Sequence, residues 1–143
     1  VTLMDALKKR VHFLRAVTAA MGLTNTVCVH ARAEEAARQK EHRARYDIAV
    51  SRAVARLPVL LEYTLPFVRI GGVLLALKGR AYAEEKEEAA HAAKLLGGGS
   101  IHVRRVFLPG LADVRAVLRV RKQGKTPSAY PRRAGTPEKA PLK

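Results

Sequence analysis

The chain has 143 residues, a length that suits one domain with its own core, and its 48% hydrophobic content excludes wholesale disorder. It carries 27 Lys and Arg against 12 Asp and Glu, a net charge of +15 that points to a polyanionic partner, nucleic acid first. No apolar run approaches a membrane span, nothing at the start reads as a secretory leader, and the lone Cys28 cannot staple a fold, so a cytoplasmic protein with no membrane contact is expected.

Val1-Thr2-Leu3-Met4-Asp5 reads as a strand closed by an acid. A chain that opens inside a strand is expected to be the later part of something longer. Leu7, Val11, Leu14, Val17 and Met21 then fall on one helical face, and Gly22 stops the helix. Residues 26–30 form a short strand and 34–38 a short helix, followed by a charged loop over 39–45. Residues 46–51 predict a strand, and 57–68 a helix that Pro58 starts and Pro66 ends or kinks. Gly71-Gly72 predicts a turn into a buried strand over 73–77. Residues 82–96 predict one amphipathic helix ended by Gly97-Gly98-Gly99, before two strands, 101–108 and 114–121, joined near Pro109-Gly110.

The order β-α-β-(α)-β-α-β-α-β-β predicts an α/β fold: a mostly parallel sheet with helices on both faces and an antiparallel hairpin last. The domain is expected to span 1–121. From Lys122 to 143 prolines alternate with cations, and Glu138 is the one acid, so this segment reads as a basic, extended tail whose charges are free for phosphates.

In such sheets ligands sit at the carboxyl ends of the strands. Asp5 there could accept both hydroxyls of a ribose, or could cap the following helix. Glu34 could accept from the exocyclic amine of an adenine, or answer a helix dipole. Arg52 could grip a phosphate or make a local ion pair. Lys78, after a run of apolar residues, could stand at the mouth of the cleft or be a solvated strand end. Zinc spacing, a Gly-Lys-Ser/Thr phosphate loop and a hydrolase nucleophile elbow are all missing, and Cys28 inside a strand reads as core, which disfavours a cysteine nucleophile.

Taken together, Lys9-Arg10-Val11-His12-Phe13-Leu14, Ala31-Arg32-Ala33-Glu34, Val50-Ser51-Arg52-Ala53-Val54-Ala55, Ala76-Leu77-Lys78-Gly79 and the tail Thr126-Pro127-Ser128-Ala129-Tyr130-Pro131-Arg132-Arg133-Ala134-Gly135-Thr136-Pro137 form one pattern. It resembles the ribosomal RNA small-subunit methyltransferase G family, also called glucose-inhibited division protein B, over essentially the whole chain. The resemblance implies a Rossmann-like class I S-adenosylmethionine-dependent methyltransferase that methylates guanine N7 in 16S ribosomal RNA. It implies that Asp5, Ala6 and Leu7 edge the cofactor ribose, that Ala33 and Glu34 flank its adenine, and that Arg52 lines the cofactor and substrate side.

Arg52, Lys78, Tyr130, Arg132 and Arg133 are the expected RNA contacts, with Tyr130 stacking on a base and further cations from Lys8-Lys9-Arg10 and the 38–45 loop. The expected partner is 16S rRNA or the small ribosomal subunit, the expected state a monomer, and no metal is required. The family's first strand and Gly-rich loop would precede Val1, and a chain without them is expected to bind the cofactor weakly and to aggregate. Rival readings are a methyltransferase acting on another RNA base or on a protein, and a basic RNA-binding module without catalysis.

Overall fold

The computed structural model describes residues 1–110 and 113–142. Its elements follow the expected alternation, as strands β1 (Thr2–Asp5), β2 (Val27–His30), β3 (Tyr46–Arg52), β4 (Val68–Lys78), β5 (Gly98–Val106) and β6 (Arg115–Lys122), with helices α1 (Lys8–Ala20), α2 (Ala33–Ala36), α3 (Leu57–Thr64), α4 (Tyr82–Glu88), α5 (Ala90–Leu95) and α6 (Thr136–Lys139). Parallel pairing joins β1 to β2 and β3 to β4; β6 runs antiparallel between β4 and β5. The antiparallel hairpin is therefore present at the edge where it was expected.

The strands fall into two sheets. A two-stranded sheet β1-β2 stands apart from a four-stranded sheet in the order β3-β4-β6-β5. Among the described residues β1 pairs only with β2 and β3 only with β4, so each keeps one edge without a ladder partner.

The core lies on one face of the larger sheet. Leu74 and Ala76 of β4 and Ala116, Leu118 and Val120 of β6 point inward, as period-two alternation requires, and meet Leu57, Leu60 and Leu61 of α3 and Ala92 and Ala93 of α5. Burying a Leu or Val side chain is worth about 1.5–3 kcal/mol, so this layer supplies most of the driving force for folding.

Three local expectations are corrected. The helix over 57–68 ends at Thr64; Leu65–Phe67 is a single tighter 3-10 turn holding Pro66, and Val68 already belongs to β4. Gly71-Gly72 is therefore no turn but a bulge inside β4. The register with β3 passes from Tyr46↔Val68 directly to Ile48↔Val73, Gly71 takes φ +87°, and a Cβ on Gly72 would stand 2.6 Å from the Asp47 carbonyl oxygen. The helix over 82–96 is broken at Ala89 (φ −89°, ψ −3°), and only Gly97 ends it, since Gly98 and Gly99 are already strand.

The tail is not extended. Residues 122–142 fold back over the domain: Pro131 and Pro137 are buried, and α6 begins with Pro137 in its first turn, where a missing N–H costs nothing. Among the described residues no helix is long and apolar enough to cross a membrane.

Candidate functional site

A cavity of about 660 Å³ opens between the free edges of β1 and β3, within the range of about 300–1,000 Å³ typical of small-molecule sites. Its walls carry Asp5, Ala6 and Leu7 from the end of β1, Ala33 and Glu34 from α2, and Arg52, the last residue of β3. Three separate elements thus deliver all six residues singled out as cofactor neighbours to one hollow, which runs along β1 and β3 from Thr2 and Tyr46 to Asp5 and Arg52. Tyr46 and Phe67 also line it and pack with His42 as an aromatic group, with His42 Nδ1 and the Tyr46 hydroxyl 2.7 Å apart.

Asp5 is already organised. Its Oδ1 accepts the Leu7 N–H at 2.8 Å, and Oδ2 faces Arg10 Nη1 at 3.4 Å. The N-cap position of α1 is Leu7, so the carboxylate shapes the turn ahead of the helix and does not cap it. A carboxylate has about four acceptor directions, which leaves room for a diol.

Glu34 is buried and does more than answer a dipole. Its Oε1 accepts the Gly135 N–H at 3.0 Å and lies 3.7 Å from Arg32, tying the tail to the cavity wall. Arg52 is exposed on the rim and has no ion-pair partner among the described residues. Beside it, the Ser51 hydroxyl lines the cavity, buried and without a hydrogen-bond partner among the described residues. Buried orphan hydroxyls are uncommon, and this one is available to a ligand.

Tyr63 and Glu138 also line the cavity and were not singled out from sequence. Burial, then the carboxylates of Glu34 and Glu138, hold the Tyr63 phenol well above its ordinary pKa, so it remains a proton donor. The signal for Glu138 was present, since it is the one acid among the tail's cations; a Tyr within a mostly buried helix gave none.

Several expected RNA contacts are used internally. Lys78 lies outside the cavity: its ammonium donates to the Ala55 carbonyl at 2.5 Å and pairs with Glu85 at 2.6 Å, and Glu85 also accepts the Leu57 N–H at the start of α3. Arg132 grips Glu62, a carboxylate with no exposed surface, through its backbone N–H at 2.7 Å, Nε at 3.0 Å and Nη2 at 2.7 Å. Those bonds push the Arg132 pKa further up and commit Nε and Nη2 of the guanidinium to the same chain. Tyr130 is half-buried and packs against the core.

Of the 38–45 loop, Arg38 donates to the carbonyls of Ala129 and Pro131, and Arg43 to those of Ala37, Thr126, Pro127 and Tyr130. These arginines fasten the tail. Burial, with Arg38 nearby, lowers the Arg43 pKa. Arg133 stays exposed, as do Lys8 and Lys9.

The family model for rRNA small subunit methyltransferase G matches residues 1–108. The chain belongs to this family. A relative named ribosomal RNA small subunit methyltransferase G, from Desulforamulus reducens, is 46% identical over 142 residues, covering 99% of this chain and 59% of its own length. Another of that name, from Halalkalibacterium halodurans, is 46% identical and is covered over 60% of its length. The chain thus spans about three-fifths of these curated relatives of the methyltransferase G family.

Solved structures agree on the fold. An rRNA methylase from Streptococcus thermophilus superposes with a TM-score of 0.60 at 16% identity, over 87% of this chain and 74% of that one. A predicted O-methyltransferase from Agrobacterium tumefaciens gives a TM-score of 0.66 at 16% identity, over 87% and 62% respectively. Within this methyltransferase fold, the end of the cavity that holds Asp5, Glu34 and Arg52 lies at the strands' carboxyl ends, where open α/β sheets take their ligands.

Proposed function

We propose that this methyltransferase G family chain transfers a methyl group from S-adenosylmethionine to N7 of a guanine in 16S ribosomal RNA. The observation that carries the reading is the convergence of Asp5, Glu34 and Arg52 on one cavity. The donor set suits that cofactor: a carboxylate for the ribose hydroxyls at Asp5, a buried acceptor for the adenine amine at Glu34, small apolar walls at Ala6 and Ala33, and an unpaired hydroxyl at Ser51.

S-adenosylmethionine, when bound, supplies a methyl group on a cationic sulfur, which an in-plane nitrogen lone pair can take with no proton removed first. The residues therefore have placement as their task. Holding two reactants in line can lower a barrier by about 7–11 kcal/mol at best. Arg52 on the rim can hold the guanine O6 or a neighbouring phosphate, but not in the usual two-pronged mode, because that would cover N7. Tyr63, kept protonated, and Ser51 can donate toward polar atoms inside the cavity. Arg133 and the exposed Lys8 and Lys9 add phosphate affinity. The same reading makes 16S rRNA or the small ribosomal subunit the partner, with a monomeric protein acting in the cytoplasm.

The test is calorimetric titration of S-adenosylmethionine, together with methyl transfer to 16S rRNA, in the full-length protein. Asp5→Ala is expected to weaken cofactor binding at least tenfold. Arg52→Ala is expected to depress methyl transfer far more than cofactor affinity. If both variants bind cofactor and methylate rRNA like the parent, the assignment of this cavity fails; binding of RNA with no transfer under any condition would favour the non-catalytic reading.

A further inference from the structure

The face of the larger sheet turned away from α3, α4 and α5 carries charge that the cavity does not use. Along β6, Ala116, Leu118 and Val120 are buried while Arg119 and Arg121 are exposed; on β5, His102 and Arg104 are exposed. Register sets His102 directly opposite Arg119, Arg104 opposite Val117, and Arg121 opposite Val73. Residues directly opposite share a face, so His102, Arg104, Arg119 and Arg121 form one surface. The acid at the hairpin, Asp113, is taken by Arg115 at 3.0 Å and Arg80 at 3.4 Å. Arg104, Arg119 and Arg121 have no ion-pair partner among the described residues.

The surface is aligned with the cavity. Arg52 faces Leu77, Leu77 faces Val117 and Val117 faces Arg104, a single cross-strand row. Three strand spacings of about 4.8 Å put Arg104 roughly 14 Å from Arg52 on the same face. β5 runs in the same direction as β3 and β4, so its carboxyl end lies at the same end of the sheet as Arg52. Just past that end stands Phe107, 90% exposed.

We propose that this surface holds a single-stranded segment of the RNA substrate, with Arg104, Arg119 and Arg121 on its phosphates and Phe107 stacked on one of its bases. The inference rests on the reading of the protein as an RNA methyltransferase and says where the strand adjoining the target guanine runs. Cations beside an exposed aromatic ring are the combination that single strands exploit, because unpaired bases offer a free face to the ring. In a duplex that face is already stacked.

The experiment uses the full-length protein, a short unstructured fluorescein-labelled oligoribonucleotide and anisotropy titrations at several salt concentrations, with circular dichroism melts to verify folding of each variant. Arg119→Ala/Arg121→Ala is expected to reduce the slope of log K against log salt by about 1.4, at about 0.7 for each phosphate no longer neutralised, and Arg119→Lys/Arg121→Lys to restore it. Phe107→Ala is expected to weaken binding about 5-fold or more with the slope unchanged. Calorimetric affinity for S-adenosylmethionine is expected to stay at the parent value in all three.

Folded variants that bind RNA with the parent affinity and slope would overturn the proposal. If the parent still binds cofactor and RNA in that case, the functional reading stands and only the hairpin assignment fails. A parent that binds no RNA would sink both. Polyglutamate binding at RNA-like affinity through the same arginines would make this a protein-docking surface and would likewise overturn it.

Discussion

Arg132→Ala separates a structural arginine from an RNA ligand. Glu62 has no exposed surface and takes four hydrogen bonds from Arg132, three of them from the guanidinium. Truncation leaves a buried carboxylate with the Arg132 backbone N–H as its remaining donor from this residue. Breaking a fully buried pair by removing one partner costs about 3–5 kcal/mol. A quarter of the Arg132 side chain is exposed, at 25%, so water reaches the pair from one side. Allowing for that screening, we expect a loss of about 2–3 kcal/mol, a large part of a domain's total of about 5–15 kcal/mol.

The assay is urea unfolding followed by far-ultraviolet circular dichroism, alongside an RNA salt titration. Glu62→Gln, which keeps an acceptor for the backbone N–H and removes the charge, should cost less than Arg132→Ala. In the double variant the two losses should be strongly non-additive. An arginine on a phosphate would give the opposite pattern: an unchanged urea midpoint and a salt slope lower by about 0.7. Observing that pattern for Arg132→Ala would refute the internal role assigned here.

Two further outcomes follow from the packing. Lys122, buried and donating to the Leu65 and Leu96 carbonyls at 2.9 and 2.8 Å and to Thr126, has its pKa lowered by burial from 10.5 to about 8. Between pH 8 and 10.5 the unfolded chain then binds a proton that the native state has lost, so stability rises with pH across that window, while below pH 8 the cost of burying the charge applies in full. Lys122→Met should flatten that rise in urea midpoints measured across the window; an identical profile would remove Lys122 as its source. Gly97 takes φ +80° and accepts the N–H groups of Gln123 and Gly124, and an added Cβ would collide with the Gly124 backbone. Gly97→Ala should therefore cost upwards of about 2 kcal/mol, left-handed strain of about 1–2 kcal/mol plus the clash, and a loss under about 0.5 kcal/mol by urea unfolding would contradict that geometry.

How far the sequence could be read depended on whether the controlling interaction was local. Alternation in β6, the closing acid of β1 and the helix over α1 are set by neighbours within a few residues, and all were legible. So was the convergence on the cavity, because α/β topology fixes where strand ends lie, and Asp5, Glu34 and Arg52 each sit at or just beyond one. The tail was misread for the converse reason. Its prolines and cations argue locally for an extended, solvated segment, and nothing close by in the chain reveals that Arg132 meets Glu62, 70 positions away, or that Gly135 meets Glu34, 101 positions away.

Charge was the misleading cue. The net +15 was read as cations turned toward a partner, yet Arg38, Arg43, Lys78, Lys122 and Arg132 direct their donors at carbonyls and buried acids of the same chain. A basic composition thus fixes the sign of the partner without saying which cations meet it. The arginines that the proposal assigns to RNA have no ion pair among the described residues, and register rather than sequence proximity groups them. Arg104 and Arg119 are 15 positions apart in the chain but stand on adjacent strands and share one face. On the proposed path the hairpin joins Arg133 as a phosphate contact, and Phe107, 90% exposed, offers a base more ring surface than the half-buried Tyr130.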